Sequence, residues 1–439
     1  MDVITKGELS FLKDRHIAGT HEQQTSVQAI LRDVRLEGNK AVRRYTQTFD
    51  QVTYNTDDDF RVTPEEIENA YNAVPANFVQ TIQAAAQNIK AFHVKQLPES
   101  WSERDASGTL LGQKVTPLDR VGVYVPGGTA AYPSSVLMGC IPALAAGVQE
   151  IALVSPPSPE GKLSPGVLVA AHEIGIDHIY KIGGAQAIGA LAYGTETIQA
   201  VDKIVGPGNI YVALAKKEVF GICDIDSIAG PSEVVVLADQ TAKPKWVAAD
   251  LLSQAEHDKL SMAVLVTPDR SLAEAVNDEV ERQVKDLPRY AIATEAIRRN
   301  GKILITESIA TGIDLVNKIA PEHLEVVTSA PYETLQNIKH AGAIFIGPYS
   351  SEPIGDYFAG PNHIIPTNQS ARYASPLNVE AFLKRSSLIE YSESALLQHV
   401  DKVADIARFE GLEAHARAVE TRVKGGRLHA DKSGYTNNR

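Results

Sequence analysis

The stretch RVGVYVPGGTAAYPSSVLMGCIPALAAGVQEIALVS, residues 120–155, decides the fold class. It opens on a short β-branched run, VGVYV (121–125), which PGG (126–128) stops. An apolar segment of helix length follows, SSVLMGCIPALAAG (134–147), and EIALVS (150–155) returns to strand character. Strand, glycine turn, helix and strand in this order form a βαβ unit, whose two strands run parallel.

Working outward, the alternation continues. A helix is predicted around VLVAAHEIG (167–175), then the strand HIYKI (178–182), the helix AQAIGALAYG (185–194), the strand DKIVG (202–206) and the helix NIYVALAKKEVFG (209–221). A second block starts with the strand EVVVLAD (233–239), the helix WVAADLLSQAEHD (246–258) and the strand AVLVT (263–267). The helix SLAEAVNDEVERQVKDL (271–287) and the strands KILIT (302–306), EHLEVVT (322–328) and AIFIG (343–347) complete it. Two α/β blocks with parallel, doubly wound sheets are expected. Before residue 110 the chain reads as a peripheral helical layer, with Val27, Ile30, Leu31 and Val34 at helical spacing. After about residue 380 strand signals fade. Residues 403–423 read as a helical tail and 425–439 as a frayed end.

At 439 residues the chain is too long for one core, so two or more domains are expected. A net charge of −12 repels phosphate backbones and anionic lipid, which argues against nucleic-acid and membrane partners. The start, MDVITKGELSFLKDRH, has no apolar targeting core, and no apolar run approaches the ~18 residues of a span. Two cysteines, Cys140 and Cys223, are too few for a zinc module or a disulfide framework. A cytoplasmic, enzyme-like chain with reduced thiols is the expectation.

Sheets of this class bind ligands beyond the carboxyl ends of their strands. Three glycine turns fall there: PGG (126–128), GGAQAIG (183–189) and GPGN (206–209). None is a dinucleotide fingerprint, because Gln186 stands where the second glycine belongs. Gln254 and His257 sit at i, i+3 on a predicted helix and offer an amide oxygen and an imidazole nitrogen; the same spacing suits a solvated helix face. Glu322 and His323 pair a carboxylate with an imidazole, the makings of a general base. Strand neighbours point to opposite faces, so the two share a site only where the strand has not settled; a strand-edge ion pair is the alternative. Asp356 lies in SEPIGDYFAGPNH (351–363), read as a rigid binding loop or a connector. On the tail helix Glu413 and Arg417 pair at i, i+4, whereas Glu410 and His415 have no local partner.

Eight segments occur in one order: RVGVYVPGGTAAYPSSVLM, GGAQAIGALAYGT, KIVGPGNIYVALAKK, DSIAGPSEVVVLAD, DLLSQAEHD, IAPEHLE, GDYFAGPNHIIPT and FEGLEAHARAV. In this register and spacing, over nearly the whole chain, they resemble the histidinol dehydrogenase family. The resemblance implies two incomplete Rossmann-like domains with small helical N- and C-terminal segments, in a domain-swapped homodimer. The expected division is 1–22 as N-terminal segment, 23–123 plus 235–378 as the first domain, 124–234 as the second, NAD-binding domain, and 379–439 as the swapped tail. The resemblance further implies one zinc per subunit on Gln254, His257, Asp356 and His415, the last from the partner subunit. It makes Glu322 and His323 catalytic, and has Tyr124, Gln186 and Asn209 line the NAD site. Ser232, Gln254, His257, His323, Asp356, Glu410 and His415 would contact the substrate, L-histidinol, which is oxidised to L-histidine with two NAD+. Three rivals stand beside it: a relative acting on another alcohol or diol, such as a sulfonated one, a zinc hydrolase, and a non-catalytic metal-binding scaffold.

Overall fold

Both predicted α/β blocks form parallel sheets. The computed structural model describes residues 1–4, 10–12, 19–127, 132–228 and 230–423. Gly128 of the first glycine turn and the frayed end expected at 425–439 lie outside the described residues. The chain folds as two compact units, Met1–Leu97 with Pro117–Phe382, and Pro98–Thr116 with Leu383–Arg439.

In the larger unit, the quoted stretch supplies the centre of a five-stranded sheet. Its spatial order is His178–Tyr180, Glu150–Val154, Arg120–Tyr124, Lys203–Val205, Asp224–Ile225, all parallel. The chain steps outward from Arg120–Tyr124 in one direction, then returns and steps outward in the other. The switch point therefore lies between Arg120–Tyr124 and Lys203–Val205, where a crevice opens at the carboxyl edge.

The second sheet repeats this order. It runs Asp2–Ile4, Gly301–Ile305, Met262–Thr267, Glu233–Ala238, His323–Val327, Ala343–Ile346, again all parallel. Its central strand Glu233–Ala238 is apolar from Val234 onward because both faces are covered. Val234 and Val236 enter one core cluster, Val235 and Leu237 the cluster on the opposite face. The switch point here lies between Glu233–Ala238 and His323–Val327.

The smaller unit holds a three-stranded sheet, ordered Leu383–Glu390, Leu110–Pro117, Trp101–Arg104, followed by the helices Glu393–Phe409 and Glu413–Glu420. Its helical core is slight: Ala404, Ala407 and Ala416, with Val419 against them.

Several elements depart from the expected division. Residues 2–4 are an edge strand, not helix; three residues carry no periodicity, and their partner is some 300 positions away. The tail contains the strand Leu383–Glu390, which is exposed on nearly its whole length and so lacks the apolar alternation that marks a strand. Its sheet partner comes from residues 110–117, expected in the first domain. The boundary at 123/124 cuts through one strand, and the helices His21–Glu37 and Asn39–Asp50, also expected there, bury Val27, Ile30, Leu31, Val34 and Val42 in the core of the five-stranded sheet. A local apolar stripe states that a helix is covered, never by what.

Candidate active site

The carboxyl edge of the five-stranded sheet is built as a rigid cradle. Gly206 opens the GPGN turn at φ 111°, and a Cβ there would stand 2.1 Å from the Tyr124 carbonyl oxygen, so only glycine fits. Asp226 accepts the Gly206 N–H (2.7 Å), and Lys216, ion-paired with Asp226 in the core, donates to the Gly206 carbonyl (3.0 Å). Asn209 caps the helix Ile210–Val219: its Oδ1 accepts from Tyr211 N (3.0 Å) and Val212 N (3.2 Å). Tyr124 ties two turns together, because the Gly184 N–H donates to its hydroxyl (3.1 Å). Burial pushes that phenol up to about 12, so it stays neutral. Gln186, 1% exposed, has both amide atoms buried without a hydrogen-bond partner among the described residues. A buried amide with four unused valences marks a place where a ligand is expected. Tyr124, Gln186 and Asn209 thus lie at one sheet edge beside the switch point.

The second cluster lies at the opposite, amino edge of the six-stranded sheet. The strand His323–Val327 begins at His323 and Glu322 precedes it in a bend, so the rule of alternating faces does not yet apply. Ala320 makes this possible: it ends the preceding helix in the left-handed region at φ 48°, ψ 62°. His323 Nδ1 donates to the Glu233 carbonyl (3.0 Å), and the Glu233 N–H donates to Glu322 Oε2 (2.7 Å). Glu322 Oε2 stands 3.6 Å from His323 Nδ1. With Nδ1 committed as donor, a neutral His323 carries its lone pair on Nε2, 3.4 Å from Asp356 Oδ1. Burial lifts Glu322 to about 8, with the charges of Glu233 and Asp356 adding to it and His323 opposing. Burial pulls His323 down, but Glu322 and Asp356 outweigh it and raise the imidazole to about 10. Ser232 adjoins this knot through Glu233 and sits just before the strand.

The donor set comes from two other segments. The helix Pro244–Ala255 ends three residues earlier than expected, and His257 lies in the turn beyond it, its N–H on the Gln254 carbonyl (3.2 Å). Gln254 is 1% exposed and its Oε1 is buried with no hydrogen-bond partner among the described residues. The loop expected around Asp356 contains a short helix, Glu352–Tyr357, with proline in its first turn. Candidate ligand atoms of His257, Glu352 and Asp356 lie within 4.8 Å of one another. Burial lowers His257, which keeps the imidazole neutral and able to ligate. Asp356 is held well below the carboxylate range: burial opposes this, and the His323 hydrogen bond with the charges of His363 and His323 overrides it. A neutral imidazole, an ionised carboxylate and an orphaned amide oxygen suit zinc.

Of the candidate site residues, His257 opens onto a cavity of about 410 Å³. His257, Glu256 and Arg289 form one wall; Tyr132, Ser134 and Leu137, which follow the strand Arg120–Tyr124, form another. Glu410 and His415 lie in the smaller unit, both exposed, on or beside the helices Glu393–Phe409 and Glu413–Glu420. Reasoning from sequence missed Glu352, the buried Glu325 behind it, and Tyr132 and Arg289. Glu352 precedes Asp356 by four positions, a one-face spacing on a helix, but Pro353 and Gly355 disguise that helix as a loop.

Fold and site together define an α/β protein of enzyme type, with a buried carboxylate–imidazole pair beside a metal-competent donor set. The histidinol dehydrogenase family model matches residues 13–423. The chain is 58% identical over 421 residues to the histidinol dehydrogenase of Bacillus subtilis (strain 168), covering 96% of this chain and 98% of that one. It is 58% identical over 409 residues to the histidinol dehydrogenase of Geobacillus kaustophilus (strain HTA426), covering 93% and 96%. The crystal structure of histidinol dehydrogenase from Elizabethkingia anophelis superposes with a TM-score of 0.91 at 38% identity, over 96% of this chain and 98% of that one. The chain belongs to the histidinol dehydrogenase family and is a dehydrogenase. No helix among the described residues is long and apolar enough to cross a membrane.

Proposed function

We propose that this dehydrogenase is a cytoplasmic enzyme that oxidises L-histidinol through L-histidinaldehyde to L-histidine, with two NAD+ as hydride acceptors and one zinc per subunit. The observation that carries the reading is the donor set itself: His257 and Asp356 offer converging ligand atoms, the Gln254 amide oxygen is buried without a partner among the described residues, and His257 opens onto the cavity. Tyr124, Gln186 and Asn209 would hold NAD, whose nicotinamide takes up the hydride. Gln254, His257 and Asp356, with His415 of the partner subunit, would hold zinc, which supplies a fixed cation for the nitrogen donors of histidinol.

The protein's own groups do the rest. His323 accepts the alcohol proton at Nε2 while Nδ1 stays anchored on the Glu233 carbonyl, which fixes the ring for transfer. Its raised proton affinity reflects the nearby carboxylates, and a cation held by Asp356 offsets that charge. Glu322, raised toward neutrality by burial, takes the proton of the water that adds to the aldehyde. Ser232 contacts substrate, and Glu410 of the partner subunit offers its carboxylate to the substrate ammonium. In support of a shared site, the helices of the smaller unit leave Phe409 90% and Ile406 64% exposed over a core of three alanines, too little apolar cover for a segment meant to stand alone.

A substrate panel followed by NADH formation, with and without a chelator, tests this. Histidinol and histidinaldehyde are expected to be turned over, and chelation to abolish both. Preference for a sulfonated diol would move the protein to another substrate, and hydrolysis without NADH would move it to another class. If an amino alcohol lacking the imidazole needs zinc as much as histidinol does, zinc does not act as the substrate's anchor.

A further inference from the structure

Glu352 is 1% exposed, beside the donor set, and has no part in the chemistry above. Its carboxyl accepts the Ser253 hydroxyl (3.0 Å) from the helix that carries Gln254. It also hydrogen-bonds the Asp356 side chain, four residues on along the same helical face. Its backbone is pinned as well, since the Glu352 N–H donates to Glu325 Oε1 (2.8 Å), itself 1% exposed. One side chain therefore bridges the two segments that carry Gln254 and Asp356. The carboxyls of Glu352 and Asp356 lie together, with ligand atoms within 4.8 Å, and two carboxyls in hydrogen-bond contact must share a proton.

We propose that Glu352 is a positioning residue: bridging Ser253 and Asp356, it holds the Asp356 carboxylate in its ligating orientation and thereby sets how tightly the site retains zinc. The proposal rests on the zinc reading given above. Groups that orient a ligating carboxylate typically change metal affinity by roughly 10–100-fold.

Zinc affinity of the intact protein, measured by competition with a chromophoric chelator, tests it. Glu352→Ala is expected to weaken zinc binding by roughly 10–100-fold. Glu352→Gln should stay within roughly threefold of wild type, because its amide can donate to Asp356 and accept from Ser253 in the same places. Ser253→Ala removes one end of the bridge and should cost roughly threefold to tenfold, which keeps the test open if Glu352→Ala does not fold. Equal weakening by Gln and Ala would overturn the proposal, because it makes Glu352 a direct ligand or a mere charge at a helix start. Unchanged affinity in the Ala variant would overturn it too, as would unchanged affinity in Ser253→Ala where Glu352→Ala does not fold. A wild-type protein that binds no zinc would remove the zinc reading and this inference together; tight wild-type binding with an unaffected Ala variant removes the inference alone.

Discussion

His323 has Nδ1 anchored on the Glu233 carbonyl and Nε2 facing Asp356, so in the proposed mechanism Nε2 is the nitrogen that exchanges a proton. His323→Asn should leave zinc and NAD binding intact and slow alcohol oxidation by roughly 10²–10⁴-fold. Turnover at the wild-type rate would take His323 out of the mechanism. Glu322→Gln should slow oxidation of supplied histidinaldehyde more than the alcohol step, and equal losses in both half-reactions would contradict its role with water. At this scale the sequence was readable where side-chain chemistry is unusual. A carboxylate next to an imidazole, or a glutamine and histidine three apart, can be noticed in one dimension, but only the family resemblance lifts these pairs above a strand-edge ion pair and a solvated helix face. Glu352 and Glu325 are not noticed there, because what distinguishes them is burial beside other acids, which only the fold creates.

Among the elements, the strand and helix alternation was legible where the strands of the two parallel sheets are short apolar runs; the edge strands Asp2–Ile4 and Asp224–Ile225 are too short and exposed to carry that pattern. The exposed strand Leu383–Glu390 was not legible either, for lack of a buried face. The helix Asn39–Asp50 shows a cost that local pattern also hides. Asp50 closes it, where a negative charge opposes the helix dipole, and one carboxyl oxygen is buried without a partner among the described residues. Burial pushes Asp50 up to about 6 from an ordinary value of 3.8, so the folded state favours the protonated form. The stabilisation this brings is complete below the unfolded value and is lost as the pH rises through about 6. Because the group is partly exposed, the loss is discounted for solvent to about 1 kcal/mol. Asp50→Asn should therefore remove a fall in stability between the unfolded value of 3.8 and about pH 6, read from denaturant midpoints. An unchanged pH profile would mean that Asp50 ionises freely. At the cofactor edge, Asn209→Ala should cost about 1 kcal/mol of stability through the lost cap, and weaken NAD binding besides. A stability loss with NAD affinity unchanged would make Asn209 a cap alone.

For the whole molecule, the carboxyl-edge rule points to the edge where Tyr124, Gln186 and Asn209 lie, and away from the other candidate residues. Glu322, His323 and Ser232 sit at the amino edge of their sheet, flanking its switch point from the opposite side. No local pattern announces this, because apart from the added edge strand Asp2–Ile4 the two sheets repeat one strand order. Glu410 and His415 belong to the smaller unit and have no local partner in the sequence. If the partner subunit supplies both, His415→Asn and Asp356→Asn subunits, each inactive, should on mixing regain roughly a quarter of wild-type activity, since half the dimers are mixed and each has one intact site. A mixture that stays inactive although mixed dimers form would return His415 to its own chain.

The most direct measurement is the stoichiometry of complete conversion. With a limiting amount of L-histidinol, excess NAD+ and zinc-loaded protein, the account predicts two NADH and one L-histidine for each histidinol consumed. No NADH formed while the zinc site is occupied, or one NADH with the aldehyde as final product, would contradict it.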